Sequence, residues 1–130
     1  MITEIKKIAQ ALVAGDVARA RKIRDGISNL DEASDWEINE IVRQAIIGYL
    51  KKGEIYKARQ AESLFKLPKE SIDDTVKQAV LSSLREGDME TITELRNGLP
   101  IPTEMAQELV AYCATWGKDH FNKCIREVFA

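Results

Sequence analysis

The chain has 130 residues, with 19 basic against 21 acidic side chains and a formal charge of −2. That length suits one ordinary domain, and the near-balanced charge excludes a bulk electrostatic pull toward nucleic acid or anionic lipid, so any basic site has to be a local patch. Two cysteines are too few for a disulfide framework and no apolar run approaches the ~18 residues of a membrane span, so the expectation is a soluble, untargeted cytoplasmic protein with reduced thiols.

Eight helices are expected in chain order, over 3–14, 16–28, 35–52, 54–66, 71–86, 88–98, 103–116 and 119–129, with no strand alternation competing. The first two flank Gly15. Ile8 and Leu12 precede that glycine on one helical face, and Val17, Ala20, Ile23 and Ile27 follow it at helical spacing. Glycine accepts the positive φ common just after a helix, and Asp16 is placed to cap the incoming turn. The link Ser28 to Asp35 then ends in a capping box, Ser34 with Glu37.

The second pair repeats the pattern around Gly53, with Ile46 and Leu50 before it and Ile55, Ala58, Ala61 and Phe65 after it. Leu67-Pro68 stops the outgoing helix, and Ser71 is the expected cap of the next. The third pair does so around Gly87, with Val80, Leu84, Met89, Ile92, Leu95 and Leu99, and it ends at Pro100 and Pro102 before a cap at Thr103. The fourth is looser: Val110 and Ala114 precede Gly117, and Asp119, Asn122, Ile125 and Phe129 follow. The segment 41–54, IVRQAIIGYLKKGE, returns as TVKQAVLSSLREGD at 75–88. A period in this range means helical hairpins stacked side by side, hence an all-α superhelix of about four hairpins in one domain spanning 1–130.

Glycine, acid, aliphatic, two variable residues and alanine occur as Gly15-Asp16-Val17-Ala18-Arg19-Ala20 and Gly53-Glu54-Ile55-Tyr56-Lys57-Ala58. This string resembles the turn and second-helix start of tetratricopeptide and pentatricopeptide repeats. The resemblance implies a right-handed α-α superhelix that binds something: a peptide or partner helix on the face of the first helices in tetratricopeptide-like stacks, single-stranded RNA in pentatricopeptide stacks.

The expected binding surface lies on the first helices of the second and third pairs. Arg43, Ile47 and Lys51 stand at successive i, i+4 positions, Lys77, Leu81 and Arg85 repeat them, and Gln44 and Gln78 adjoin. Cations flanking an apolar floor suit an acidic partner segment with apolar anchors. Glu40, Asp73 and Asp74, three or four residues before Arg43 and Lys77, offer the competing explanation of solvated helix pairs. A second basic series, Arg21, Arg59 and Lys123 with Arg24, Arg96 and Arg126, carries the alternative of a single-stranded nucleic-acid-binding repeat, against cations complementing helix ends. Cys113, Asp119, His120 and Cys124 match no paired metal signature, so neither metal nor cofactor is expected. One histidine, no phosphate loop and no nucleophile motif leave a small helical enzyme as the last alternative and no catalytic residue to name. Phe121, Ile125, Val128 and Phe129 at the chain's end point to self-association or a partner through the C-terminal helix.

Overall fold

The computed structural model describes residues 2–99, 101–117, 119, 122, 123 and 126. Seven α-helices follow one another: α1 Ile2–Val13, α2 Val17–Asp25, α3 Glu32–Lys51, α4 Ile55–Phe65, α5 Lys69–Glu86, α6 Met89–Gly98 and α7 Thr103–Cys113, the last running into a 3-10 turn Ala114–Trp116. Among the described residues there is no strand. Most of the expected eighth helix, including Phe121, Ile125, Val128 and Phe129, lies outside the described residues, as do His120 and Cys124.

Three turns share one hydrogen-bond pattern. Gly15, Gly53 and Gly87 have φ of 81, 74 and 72°. Each glycine N–H donates to the carbonyl three residues back, Leu12, Leu50 and Leu84, and the following acid's N–H donates five back, to Ala11, Tyr49 and Ser83. This is the Schellman arrangement, which satisfies carbonyls that a helix end leaves without partners. The next helix then starts at once: Asp16 accepts from Arg19 N at 3.1 Å and Asp88 from Thr91 N at 3.1 Å, whereas Glu54 makes no side-chain cap bond. The chain therefore reverses within two or three residues and lays α2 on α1, α4 on α3 and α6 on α5.

These pairs pack with α1, α3, α5 and α7 in one row and α2 against α4 behind it. Ile8, Leu12, Val17, Ala20, Ile46, Leu50, Ala58, Ala61, Phe65, Val80, Leu84, Ile92 and Leu95 are all buried, and Ile23, Ile27, Ile55, Met89 and Leu99 pack half-buried against them, so the positions counted from Gly15, Gly53 and Gly87 form the core and its margin. Burying one such leucine or isoleucine contributes about 1.5–3 kcal/mol. Tyr49 joins the row's first two members, its buried hydroxyl donating to the Leu12 carbonyl in the last turn of α1.

Four expectations need correction. Helix α3 begins at Glu32 because Asp31, extended at φ −79° and ψ 167°, accepts from Ser34 N at 2.7 Å; an aspartate three residues upstream takes the role given to Ser34. Pro68 and Pro102 take the places given to Ser71 and Thr103, since a proline loses no donor there and its extended ψ leads into the first turn. In α7 the inward positions are Met105, Ala106, Leu109 and Cys113, with Val110 only half-buried and Ala114 exposed: the helix gives way to the 3-10 turn before Gly117, whose ψ of 163° contrasts with 20° at Gly87. Cys113 is buried and disulfide-bonded, contrary to the reduced thiol expected, because pairing depends on the approach of two sulfurs and not on how many cysteines the chain carries. The cytoplasmic expectation loses that support. No helix among the described residues is long and apolar enough to cross a membrane.

A methyl group added at Gly87 would meet nothing within 4 Å, so Gly87→Ala isolates the backbone strain of φ 72°. The variant should be less stable by about 1 kcal/mol, read from the shift in its urea unfolding midpoint.

Candidate functional site

Every cation of the expected binding surface turns across the row and bonds the next first helix. Arg43 on α3 holds Glu40 of its own helix and Asp74 of α5, and its guanidinium is kept above its ordinary pKa by the Glu40 bond first and by both acids' charge. Lys51 reaches Glu86 of α5 at 3.0 Å. On α5, Lys77 bonds Glu108 of α7, and Arg85 donates to the Tyr112 hydroxyl at 2.8 Å with its guanidinium carbon 5.4 Å from that ring's centre. The interval is thirty-one residues for both Arg43–Asp74 and Lys77–Glu108. Periodic cations here are matched by periodic partners one helix on.

The apolar members of that surface point inward. Leu81 is 9 % exposed and belongs to the core, and Ile47 is half-buried against it. Gln44 and Gln78 alone stand exposed among the uncharged residues of the expected site. Leu81 therefore cannot serve as an open floor.

The open surface lies one step earlier, between α1 and α3. There a groove of about 460 Å³ is lined by Ala9, Leu12 and Val13 of α1 and by Ile41, Ala45, Gly48 and Tyr49 of α3, with Glu37, Glu40, Gln44 and Lys52 as its polar members. Two features of the sequence make it. At the positions ten and two residues before the glycine, where α3 and α5 carry Arg43 and Lys51 or Lys77 and Arg85, α1 carries Ile5 and Val13, so no cation reaches across. Ala9, Ala45 and Gly48 are also too small to fill the space between the helices, and a methyl placed on Gly48 would meet nothing within 4 Å. Burial keeps the Tyr49 hydroxyl above its ordinary pKa, with the Glu54 charge adding to it, so it stays protonated and continues to donate to Leu12.

The rim is apolar at the α1 end. Val13 is 86 % exposed, and Trp36, one residue before Glu37, is 67 % exposed. Of the ionisable groups, Glu40 is shared with Arg43, while Glu37 and Lys52 form no ion pair among the described residues. The groove thus has a free negative charge toward the start of α3 and a free positive charge just past its end.

Two other clefts differ in character. Glu70, Asp73, Asp74, Glu104 and Glu108 surround Lys77 in a polar cleft of about 320 Å³ between α5 and α7. Between α4 and α5, Glu62 sits with Arg59, Ser63, Asp73 and the apolar Ile72, Val76 and Leu99 in about 440 Å³; burial raises its pKa and the Arg59 charge only partly offsets this. Arg59 itself donates to the Gly98 carbonyl at 2.9 Å, which ties α4 to α6. Of the second-helix cations, Arg21 pairs with Asp25 at 3.0 Å over the Phe65 ring and Arg24 with Asp35 at 2.9 Å. Among the described residues no cluster of histidine, cysteine, aspartate and glutamate could hold a metal.

No known protein family, characterised protein or solved structure matches this chain. Periodicity alone missed the groove, since small residues look neutral in a hydrophobic pattern. A glycine in mid-helix at 48 and the missing cations of the first helix were the signals that could have found it.

Reversing Arg43 and Lys77 to glutamate sets carboxylates against Asp74 and Glu108, and each change should lower stability by about 1 kcal/mol in denaturant titration. Arg43 should cost more, being 23 % exposed and holding two acids. For Glu62 the folded pKa lies above the unfolded one, so its ionisation opposes folding as pH rises through the folded value. Glu62→Gln should therefore raise the thermal midpoint at pH 7, and the gain should vanish below the ordinary glutamate range of about 4.

Proposed function

We propose that the chain is a protein-interaction module, an α-α superhelix of about four helical hairpins related in kind to tetratricopeptide-like repeats, which holds an apolar-anchored partner segment on the face of its first helices. The three matching glycine turns and the row of first helices support the architecture. The α1–α3 groove supports the binding role, and Gly48 is the observation that carries it. Glycine inside a helix costs about 1 kcal/mol relative to alanine. At position 48 the fold gains nothing in return, because no neighbour occupies the space its missing side chain leaves. A surface kept open at a cost to stability, apolar in its floor and edged by the exposed Val13, is what a docking groove requires.

The anchors of this site are consequently Val13, Ile41 and Ala45, with Gln44 retained from the face expected in the sequence and the buried Leu12 lying beneath them. The expectation of an acidic partner rested on four cations. With Arg43, Lys51, Lys77 and Arg85 engaged inside the protein, shape and apolar area carry the recognition. Single-stranded nucleic acid is the weaker alternative: Arg21, Arg24 and Arg59 are likewise engaged, and a phosphate track needs free cations beside stacking aromatics.

Gly48→Leu tests the reading. Leucine is the better helix former, so the thermal midpoint should hold or rise while the side chain plugs the groove. Proteins retained from nuclease-treated lysate by the wild-type chain should be lost from the variant. Retention that disappears on nuclease treatment, or that survives Gly48→Leu unchanged, would count against a protein groove at this place.

A further inference from the structure

Resting on that reading, we infer that the occupant of the α1–α3 groove is an amphipathic α-helix of a partner protein, lying antiparallel to α3 with its acidic first turn at Lys52 and its basic last turn at Glu37.

The hydrogen-bonding needs of a backbone on this floor select a helix. Both walls of the groove are α-helices whose amide and carbonyl groups bond within their own helix, so no sheet edge is on offer. An extended segment would press its N–H and C=O groups against Val13, Ile41 and Ala45, with Gln44 as the one side-chain amide to receive them. Each unmatched group has a desolvation cost that an apolar floor cannot return. A helix brings its backbone bonds with it and presents only side chains. Ala9, Ala45 and Gly48 then let its axis come close, at the ordinary 8–10 Å of packed helices.

Length and charge set the rest. Glu37 and Lys52 are fifteen residues apart at the two ends of the groove, about 22 Å along α3 at 1.5 Å per residue, so about four helical turns fit between them. Their charges are the unpaired ones there. A helix is stabilised by acids in its first turn and bases in its last. Such a helix meets Lys52 and Glu37 with matching charge in one direction only.

The experiment uses three synthetic peptides of about fifteen residues, the length set by the groove. One carries leucines at i, i+3, i+4 and i+7, glutamates in its first turn and lysines in its last, and is locked helical by a staple on its outward face. The second, stapled alike, has glutamates and lysines exchanged. The third is unstapled with a central proline. Calorimetry with the full chain should show the first binding at least tenfold more tightly than the second and the third not saturating. In the doubly exchanged variant Glu37→Lys, Lys52→Glu the order of the first two should invert.

Equal affinity for both stapled peptides, an order that fails to invert, or equal binding of the proline peptide would overturn the inference while leaving the groove standing, provided Gly48→Leu abolishes the binding. No saturation by any peptide up to about 1 mM, an affinity of about −4 kcal/mol, or binding indifferent to Gly48→Leu would overturn the groove as well. Dimerisation of the chain that Gly48→Leu removes would seat a second copy there and overturn the partner helix.

Discussion

Arg43 bonding Asp74 and Lys77 bonding Glu108, each thirty-one residues on, is the constraint from which the shape of this surface follows. Each pair joins one first helix to the next at the same level, and Lys51–Glu86 and Arg85–Tyr112 do so nearer the helix ends. Apolar packing would allow such helices to slide and rotate over one another, because dispersion and burial have little direction. Charged hydrogen bonds have geometry and length, so four of them restrict the row's register more than they add to its stability.

The first junction of the row lacks them, and that difference is where we propose that a partner docks. Ile5 and Val13 stand at the cation positions of α1, and Tyr49 supplies one bond instead, from its hydroxyl to the Leu12 carbonyl. The two helices are thus held at one end of the contact, while Ala9, Ala45 and Gly48 leave the remainder unfilled. Repetition made three junctions and departure from repetition made one of them open.

Much of the fold could be read directly from the chain. The residues counted from Gly15, Gly53 and Gly87 reached the core because two local rules coincide there: positive φ after a helix, and a helical face repeating at three and four residues. Where only one rule operated the reading drifted. At Gly117 the turn takes another conformation, so the face of α7 shifts to Leu109 and Cys113. At Asp31 an acid in extended conformation competed with the Ser34–Glu37 box and began the helix early. The expected binding face was legible as a charge pattern but not as a surface: whether Lys77 is free depends on Glu108, which no local rule brings near, and whether Leu81 is exposed depends on how two helices rotate.

The central claim is that the α1–α3 groove, and not the cation-bearing α3–α5 face, is the surface that takes apolar ligands. Amide chemical shifts of the isotope-labelled chain, followed as benzene is added to saturation, test it without a partner having to be identified first. The largest changes should fall on Ala9, Leu12, Val13, Ile41, Ala45 and Gly48, while those at Lys77, Gln78, Leu81 and Arg85 stay small. Shifts concentrated on the second set, or spread evenly over the chain, would contradict it.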